Sequence, residues 1–157
     1  MILHFAYGAN MHRDVMRRHA PTATPIGAAA LADHCFIITA DGYASVASKR
    51  AHTVHGVLWR ITARDRATLD AWENVAGKLY CAEILPVRHA NQIKPALVYI
   101  ARPTRGGQPK AGYMEIVVAA ARAWQLPRDY IASLQRWLPR RPAGAGPRKL
   151  GDIAWTR

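Results

Sequence analysis

The chain has 157 residues, half of them hydrophobic and a fifth charged, which is the composition of a single globular domain. No apolar segment approaches the roughly 20 residues of a membrane-spanning helix, and the N-terminus lacks the basic region and longer apolar run of a signal peptide. A formal net charge of +12 attracts nucleic acids, anionic lipids and acidic substrates alike. We therefore expect a soluble cytoplasmic protein with no membrane partner.

Much of the positive charge is local. Residues 140–157 contain five Lys or Arg and one Asp, and without them 17 basic and 9 acidic residues remain. The remaining charges are spread along the chain without a nucleic-acid-binding motif, so the sequence does not favour a nucleic-acid partner. Past Pro139 the composition shifts to Arg, Pro, Gly and Ala. We therefore predict one domain over residues 1–139 and a basic Pro/Gly-rich tail over residues 140–157.

The first half of the chain predicts mainly strands. Residues 1–6 form a first strand, and Met11 to about His19 form a helix that ends before Pro21. Residues 27–40 and 43–47 form a hairpin with a turn at Asp41-Gly42. Residues 54–61 form a further strand, and the glycine in its interior, Gly56, indicates a bulge or a close approach by a ligand or backbone.

The second half shifts towards helices. Thr62, with Asp65 three residues on, is the predicted N-cap of a helix that runs to about Val75. Strands follow at residues 79–87 and 95–101, then a Gly/Pro-rich loop over residues 102–112. Two helices end the domain, one from Tyr113 to Trp124 and one that Pro127 opens in its first turn and that runs to about Leu138. Strands before helices indicate an α+β domain.

Glu73 is the first candidate for chemistry. On the predicted helix, Leu69, Trp72 and Glu73 share one apolar face. Burial disfavours the ionised carboxylate and raises its pKa, which suits a proton shuttle working near neutral pH. From spacing alone, a glutamate at the helix edge paired with an arginine is the simpler interpretation.

The turn Tyr7-Gly8-Ala9-Asn10 is the second candidate. Gly8 permits close backbone approach, and N–H groups at a turn and helix start can bind a carboxylate or an oxyanion. The simpler alternative is an ordinary strand-to-helix turn with Asn10 as the helix N-cap.

Other chemistries have little support. None of the three serines lies in a G-x-S-x-G motif, and no phosphate-loop signature is present. Cys35 and Cys81 lack CxxC spacing, and His52 and His55 point to opposite faces of an extended segment. We therefore expect no metal and no cofactor.

Several motifs occur in a fixed order between residue 3 and about residue 134. They are the Tyr7-Gly-x-Asn10 turn, Gly-Val-x-Trp at 56–59, Leu-Asp-x-x-Glu-x-Val at 69–75, Tyr80, the helix that begins at Tyr113, and Leu-Pro-x-x-Tyr at 126–130. In this order they resemble the γ-glutamylcyclotransferase-like family, which includes γ-glutamylamine cyclotransferases and AIG2-like proteins. The ordered set is far more specific than any one motif.

The resemblance implies a small mixed β-barrel with flanking helices in one domain. Separately, we expect a monomer or a homodimer. It implies an enzyme without a cofactor, in which the α-amine of a γ-glutamyl compound attacks its own side-chain carbonyl and releases 5-oxoproline and an amine or amino acid. Glu73 would be the general acid and base. The loop residues Tyr7, Gly8, Ala9 and Asn10, with Tyr80 and Tyr113, would bind the substrate. For each tyrosine the alternative is a core aromatic residue with its hydroxyl at the surface.

Three residues depart from the family pattern. Ala9 stands where a serine is more common, Asn74 where a glycine commonly follows the glutamate, and Val15 where an arginine is often found. Because none of them replaces Glu73, we expect the reaction type to survive better than the substrate. Two alternatives from other classes stay open: a non-catalytic protein that senses a γ-glutamyl metabolite, and a basic domain associated with nucleic acid.

Overall fold

The structure, a computed structural model, describes residues 1–102, 105–140 and 143–144. These residues form five strands, four α-helices and one 3-10 helix. In chain order they are β1 (Ile2–Ala6), the 3-10 helix (Ala9–Met11), α1 (Arg13–His19), β2 (Thr24–Ile38), β3 (Ala44–Ile61), α2 (Ala63–Trp72), β4 (Tyr80–His89), β5 (Gln92–Ala101), α3 (Tyr113–Ala123) and α4 (Arg128–Gln135). Most of the predicted tail, residues 141–142 and 145–157, lies outside the described residues.

The five strands close into one barrel in the order β1-β3-β2-β4-β5. β2 with β3 and β4 with β5 form antiparallel hairpins, and β1 pairs antiparallel with β3 from Ile2 opposite Ile61 to Ala6 opposite Val57. The barrel closes where β1 runs parallel to β5, with His4 opposite Leu97. The prediction of an α+β domain built on a small mixed barrel with flanking helices is confirmed.

Helix α3 packs against the 3-10 helix that follows β1. Most of its residues are buried, and it contacts the 3-10 helix as well as α4. At its C-terminal end, the indole N–H of Trp124 donates to the Met11 carbonyl over 2.8 Å. This bond fixes the segment that follows β1 against the last third of the domain.

Several element boundaries differ from the prediction. β3 is one continuous strand where two were predicted, and Pro127 is the N-cap of α4 and lies just before its first turn. The Thr62–Asp65 capping box is present as predicted, but α2 ends at Trp72 and does not reach Val75. It ends there because Asn74 has a φ of 51°, a left-handed conformation that stops a right-handed helix.

Gly56 is a position where β3 lies close against β1. A Cβ atom at this position would lie 2.2 Å from the Ala6 carbonyl oxygen and 2.9 Å from the Phe5 ring. The sequence predicted either a bulge or a close approach, and the structure shows the close approach of neighbouring backbone. The register of β3 against β2 shifts elsewhere, between Pro25 and Gly27 and between Ala32 and His34.

His4 is a buried histidine in the middle of β1. Its imidazole is 2 % exposed, and its Nδ1 lies 3.1 Å from the Leu97 carbonyl oxygen, so Nδ1 carries the proton of the neutral ring. Burial lowers the pKa of His4 to about 4, although the bond to Leu97 acts in the opposite direction. The ring is therefore neutral at physiological pH.

We expect Gly56→Ala to destabilise the barrel, because the methyl group would overlap the Ala6 carbonyl oxygen. Overpacking of this kind costs about 1–3 kcal/mol or more in the free energy of unfolding. Gly106→Ala is the matched control, since its nearest neighbour, the Ile38 carbonyl oxygen, would lie 4.0 Å from the new Cβ. Urea unfolding of both variants measures the difference. Equal stability of the two would contradict the proposed contact.

We also expect His4 to make stability depend on pH. Because its folded pKa lies below its unfolded value, the unfolded chain binds the proton first as the pH falls, and stability is lost between the ordinary histidine pKa of 6.5 and about 4. The loss between about pH 7.5 and about pH 5 amounts to about 2 kcal/mol. His4→Asn cannot titrate in this range, so its unfolding free energy should change less between these two pH values. Parallel curves for variant and wild type would refute the effect.

Candidate active site

A cavity opens at the end of β1 and encloses about 450 Å³ of empty space, including solvent at its mouth. The cavity is lined by all seven residues that the sequence predicted for a site: Tyr7, Gly8, Ala9, Asn10, Glu73, Tyr80 and Tyr113. The structure thus brings together residues from separate parts of the fold.

The Tyr7–Asn10 loop leaves β1 as a sharp turn into the 3-10 helix. The Met11 and His12 N–H groups donate to the Gly8 and Ala9 carbonyl oxygens over 3.1 and 2.9 Å. The first N–H groups of a helix have no partner within it, so those at this turn are the ones placed to meet a ligand. The predicted alternative, with Asn10 as N-cap of α1, is wrong, because the side chain of His12 caps α1.

Gly8 is required where it lies. A Cβ atom on Gly8 would come within 2.6 Å of the Tyr113 hydroxyl oxygen and 3.3 Å of the Ala44 Cβ. Any side chain would therefore displace the hydroxyl of Tyr113 from the loop. The residue allows the hydroxyl of Tyr113 to approach the backbone of the turn directly.

The three predicted tyrosines are buried, and each hydroxyl is bonded inside the protein. Tyr7 donates to the Tyr99 carbonyl oxygen, and Tyr80 donates to the Ala44 carbonyl oxygen over 2.9 Å. The hydroxyl oxygen of Tyr113 accepts a hydrogen bond from the Ala44 N–H at 3.2 Å. The alternative of core tyrosines with hydroxyls at the surface is therefore wrong for all three.

Glu73 lies immediately after α2, as the C-cap of that helix, and is 8 % exposed. Its backbone N–H donates to the Leu69 carbonyl oxygen over 2.8 Å, which holds it on the last turn. Trp72 also lines the cavity and stacks on His19 of α1 with ring centroids 3.7 Å apart. Glu73 is buried, as the proton-shuttle interpretation requires, and it ends the helix, as the helix-edge interpretation expects.

Asn74, the residue after Glu73, has a left-handed backbone conformation that a glycine would also adopt readily. Asn74 adopts a φ of 51°, a region in which glycine and asparagine are the most favoured residues. Its side-chain oxygen accepts a hydrogen bond from the Gly77 N–H at 3.1 Å. Asparagine therefore takes the place of the common glycine without strain in the turn that follows Glu73.

Tyr99 connects the loop after β1 to helix α2. Its carbonyl oxygen accepts the Tyr7 hydroxyl, and its own hydroxyl donates to the Asp70 carboxylate over 2.6 Å. Asp70 lies one turn before Glu73 and also pairs with Arg66 at 3.6 Å. Tyr99 of β5 thus fixes the Tyr7–Asn10 loop relative to helix α2, which ends at Glu73.

The titrating groups of the cavity are of two kinds: tyrosines and a histidine that stay neutral near pH 7, and one carboxyl group. Burial, then the charges of Tyr80 and Glu73, raise the pKa of Tyr7 well above its ordinary value. Burial and the hydrogen bond to Asp70 likewise raise the pKa of Tyr99. These tyrosines stay protonated at neutral pH, and His4 stays neutral. Among the described residues that line the cavity, Glu73 has the only carboxyl group.

Seven lining residues were not predicted as site residues: His4, Phe5, Ala6, Tyr43, Ala44, Trp72 and Tyr99. His4 had a local signal, because it is a polar residue within the apolar strand β1. Tyr43 and Tyr99 had none. They reach the cavity through the β2–β3 turn and the parallel pairing of β1 with β5, which spacing along the chain does not reveal.

The described residues contain no group of three His, Cys, Asp or Glu side chains that could hold a metal ion. Within the same residues, no helix is long and apolar enough to cross a membrane.

The fold is shared with solved structures of low sequence identity. A protein titled "Gamma-glutamyl cyclotransferase" superposes with a TM-score of 0.84 at 21% identity, over 96% of each chain. An uncharacterised protein from Homo sapiens gives 0.83 at 22% identity, again over 96% of each chain. YkqA from Bacillus subtilis gives 0.77 at 23% identity, over 86% of this chain and 53% of that one. These matches show a γ-glutamylcyclotransferase-like fold.

Sequence comparison gives the family. No curated protein matches the chain significantly. The profile of the AIG2-like family matches residues 53–134, which is just over half of the chain and includes Glu73, Tyr80 and Tyr113. The chain therefore belongs to the AIG2-like family.

Proposed function

We propose that this protein is a γ-glutamyl cyclotransferase that releases 5-oxoproline and a free amine or amino acid from a γ-glutamyl compound. The single observation that carries the proposal is that one cavity contains both the Tyr7–Asn10 loop and the buried carboxyl group of Glu73. Family membership and the fold support the same class of reaction.

The loop would bind the charged end of the glutamyl group. Its backbone N–H groups at Gly8, Ala9 and Asn10 can donate to the α-carboxylate, and the formal charge of +12 favours the capture of anions. Tyr80 and Tyr113 lie against the same space and would restrict the bound conformation. Holding the amine close to its target carbonyl makes the attack unimolecular, and orientation of this kind is a large contribution to catalysis.

Glu73 would move the proton. It accepts a proton from the α-ammonium group, whose reference pKa is about 7.7–8.0, and the freed amine attacks the γ-carbonyl carbon. The new carbon–nitrogen bond closes the five-membered ring. The bond to the leaving nitrogen then breaks as Glu73 returns the proton to that nitrogen. The ring nitrogen loses its second proton through Glu73 to the same leaving nitrogen, which departs as an ammonium group. No water and no cofactor are consumed, and Glu73 ends in the state in which it began.

The surroundings of Glu73 suit this step. Burial of a carboxyl group favours its protonated form and so makes the carboxylate a stronger base than an exposed one. Tyr7 and Tyr99 have pKa values raised by burial, so neither competes with Glu73 for proton transfer near neutral pH. The tyrosines can still orient the substrate through their hydroxyl oxygens.

We expect Glu73→Gln to reduce 5-oxoproline release by at least about a hundredfold, since loss of a general acid and base typically costs that much. The measurement is product release from γ-glutamyl amino acids, γ-glutamyl amines and glutathione. Glu83→Gln is the matched control, because Glu83 is exposed on β4 and does not line the cavity.

Thermal unfolding of both variants shows whether the fold is retained. Unchanged turnover in folded Glu73→Gln protein would refute the assignment of Glu73. Tight binding of γ-glutamyl compounds without product across the whole panel would instead indicate a binding protein.

A further inference from the structure

Glu73 lies at the end of a helix outside the barrel, whereas the Tyr7–Asn10 loop leaves a barrel strand. The proposed reaction needs the two at a fixed separation, because a misplacement of about 1 Å can cost about a hundredfold in rate. The N-terminal end of α2 is held by the Thr62–Asp65 capping box. The C-terminal end, near Glu73, is joined to β5 by a hydrogen bond from Tyr99 to Asp70.

Three contacts fix the position of Asp70. Its Oδ1 atom accepts the Tyr99 hydroxyl over 2.6 Å, and its Oδ2 atom lies 3.6 Å from Nε of Arg66. Its backbone carbonyl oxygen accepts the N–H of Val75 at 3.0 Å. Since Glu73 lies between Asp70 and Val75 in the chain, this last bond closes the turn that contains Glu73. A force on the Asp70 carboxylate is therefore passed to Glu73 through a short, closed piece of backbone.

Tyr99 contacts the two parts of the site through different groups. Its backbone carbonyl oxygen accepts the Tyr7 hydroxyl, and its own hydroxyl donates to Asp70. The residue is 3 % exposed, and its ring meets the His4 ring of β1 edge to face, with ring centroids 5.4 Å apart. The two bonds can be separated by mutation, because Tyr99→Phe removes the hydroxyl and keeps the carbonyl.

We propose that Tyr99 is a positioning residue for Glu73, and that its bond to Asp70 sets the distance between the Glu73 carboxyl group and a substrate bound at the Tyr7–Asn10 loop. The inference rests on the proposed function. A hydrogen bond to a charged acceptor is about twice as strong as one between neutral groups, which suits a contact that holds the end of a helix. Tyr99 transfers no proton itself, because burial and the bond to Asp70 raise its pKa and keep it protonated.

We expect Tyr99→Phe to lower kcat for 5-oxoproline release about tenfold and to change KM by less than about twofold. The kcat falls because Glu73 acts in the chemical step, and KM is kept because the carbonyl that holds Tyr7 remains. Asp70→Ala should have a similar effect, and the double variant should lose little more, because both changes break the same bond. Asp70→Asn keeps an acceptor for the hydroxyl and should lose less than Asp70→Ala.

Two controls separate this role from a general loss of stability. Tyr130→Phe removes a buried tyrosine hydroxyl on α4, outside the cavity. Arg66→Gln removes the partly exposed ion pair of Asp70 and leaves the bond from Tyr99 in place. Neither should change kcat, since exposed ion pairs contribute little. Unchanged kcat in folded Tyr99→Phe protein, or an equal loss in Tyr130→Phe, would overturn the role of Tyr99 and leave the proposed function intact.

A spectroscopic measurement does not require turnover. In protein labelled with carbon-13 glutamate, the carboxyl signal of Glu73, assigned with Glu73→Gln, reports the surroundings of that group. Its chemical shift should change in Tyr99→Phe and stay unchanged in Tyr130→Phe. An unchanged signal in Tyr99→Phe would refute the positioning role even in an active enzyme. A changed signal in a protein that releases no 5-oxoproline supports the positioning of Glu73 and refutes the proposed function alone.

Discussion

The candidate site depends on how closely β1 lies against β3. At Gly56 the two strands approach so nearly that no Cβ fits between the Ala6 carbonyl and the Phe5 ring. Because β1 is only five residues long, this contact also fixes the direction in which the chain leaves the barrel at Tyr7. A second close approach follows at Gly8, where the Tyr113 hydroxyl occupies the space of a side chain. Two glycines far apart in sequence are therefore needed where the chain leaves β1, and one of them, Gly8, lines the cavity.

Local chemistry made much of the fold predictable. The Asp41-Gly42 turn, the Thr62–Asp65 capping box and the interior glycine of β3 each gave the correct element, because the signal lies within a few residues. The end of α2 was harder to predict, since an asparagine with positive φ stops the helix where periodicity continues. The parallel pairing of His4 with Leu97 spans most of the chain and has no local signal.

The site was predicted unevenly for the same reason. Glu73 and the Tyr7–Asn10 loop could be selected because each has an unusual residue in a recognisable pattern. Tyr99 could not, although it joins them: its backbone accepts the Tyr7 hydroxyl and its side chain donates to Asp70, one turn from Glu73. Its importance comes from the barrel closure between β1 and β5. A site held by such a closure is rigid, which suits a reaction in which orientation is a large part of the catalytic effect.

The loop residue Ala9 bears on how the protein would distinguish between substrates. It is 6 % exposed and lines the cavity, but unlike a serine it brings no hydroxyl group to a ligand. The glutamyl end would then be held by backbone N–H groups, which any γ-glutamyl compound meets equally. Discrimination between compounds must come from residues that face the leaving group.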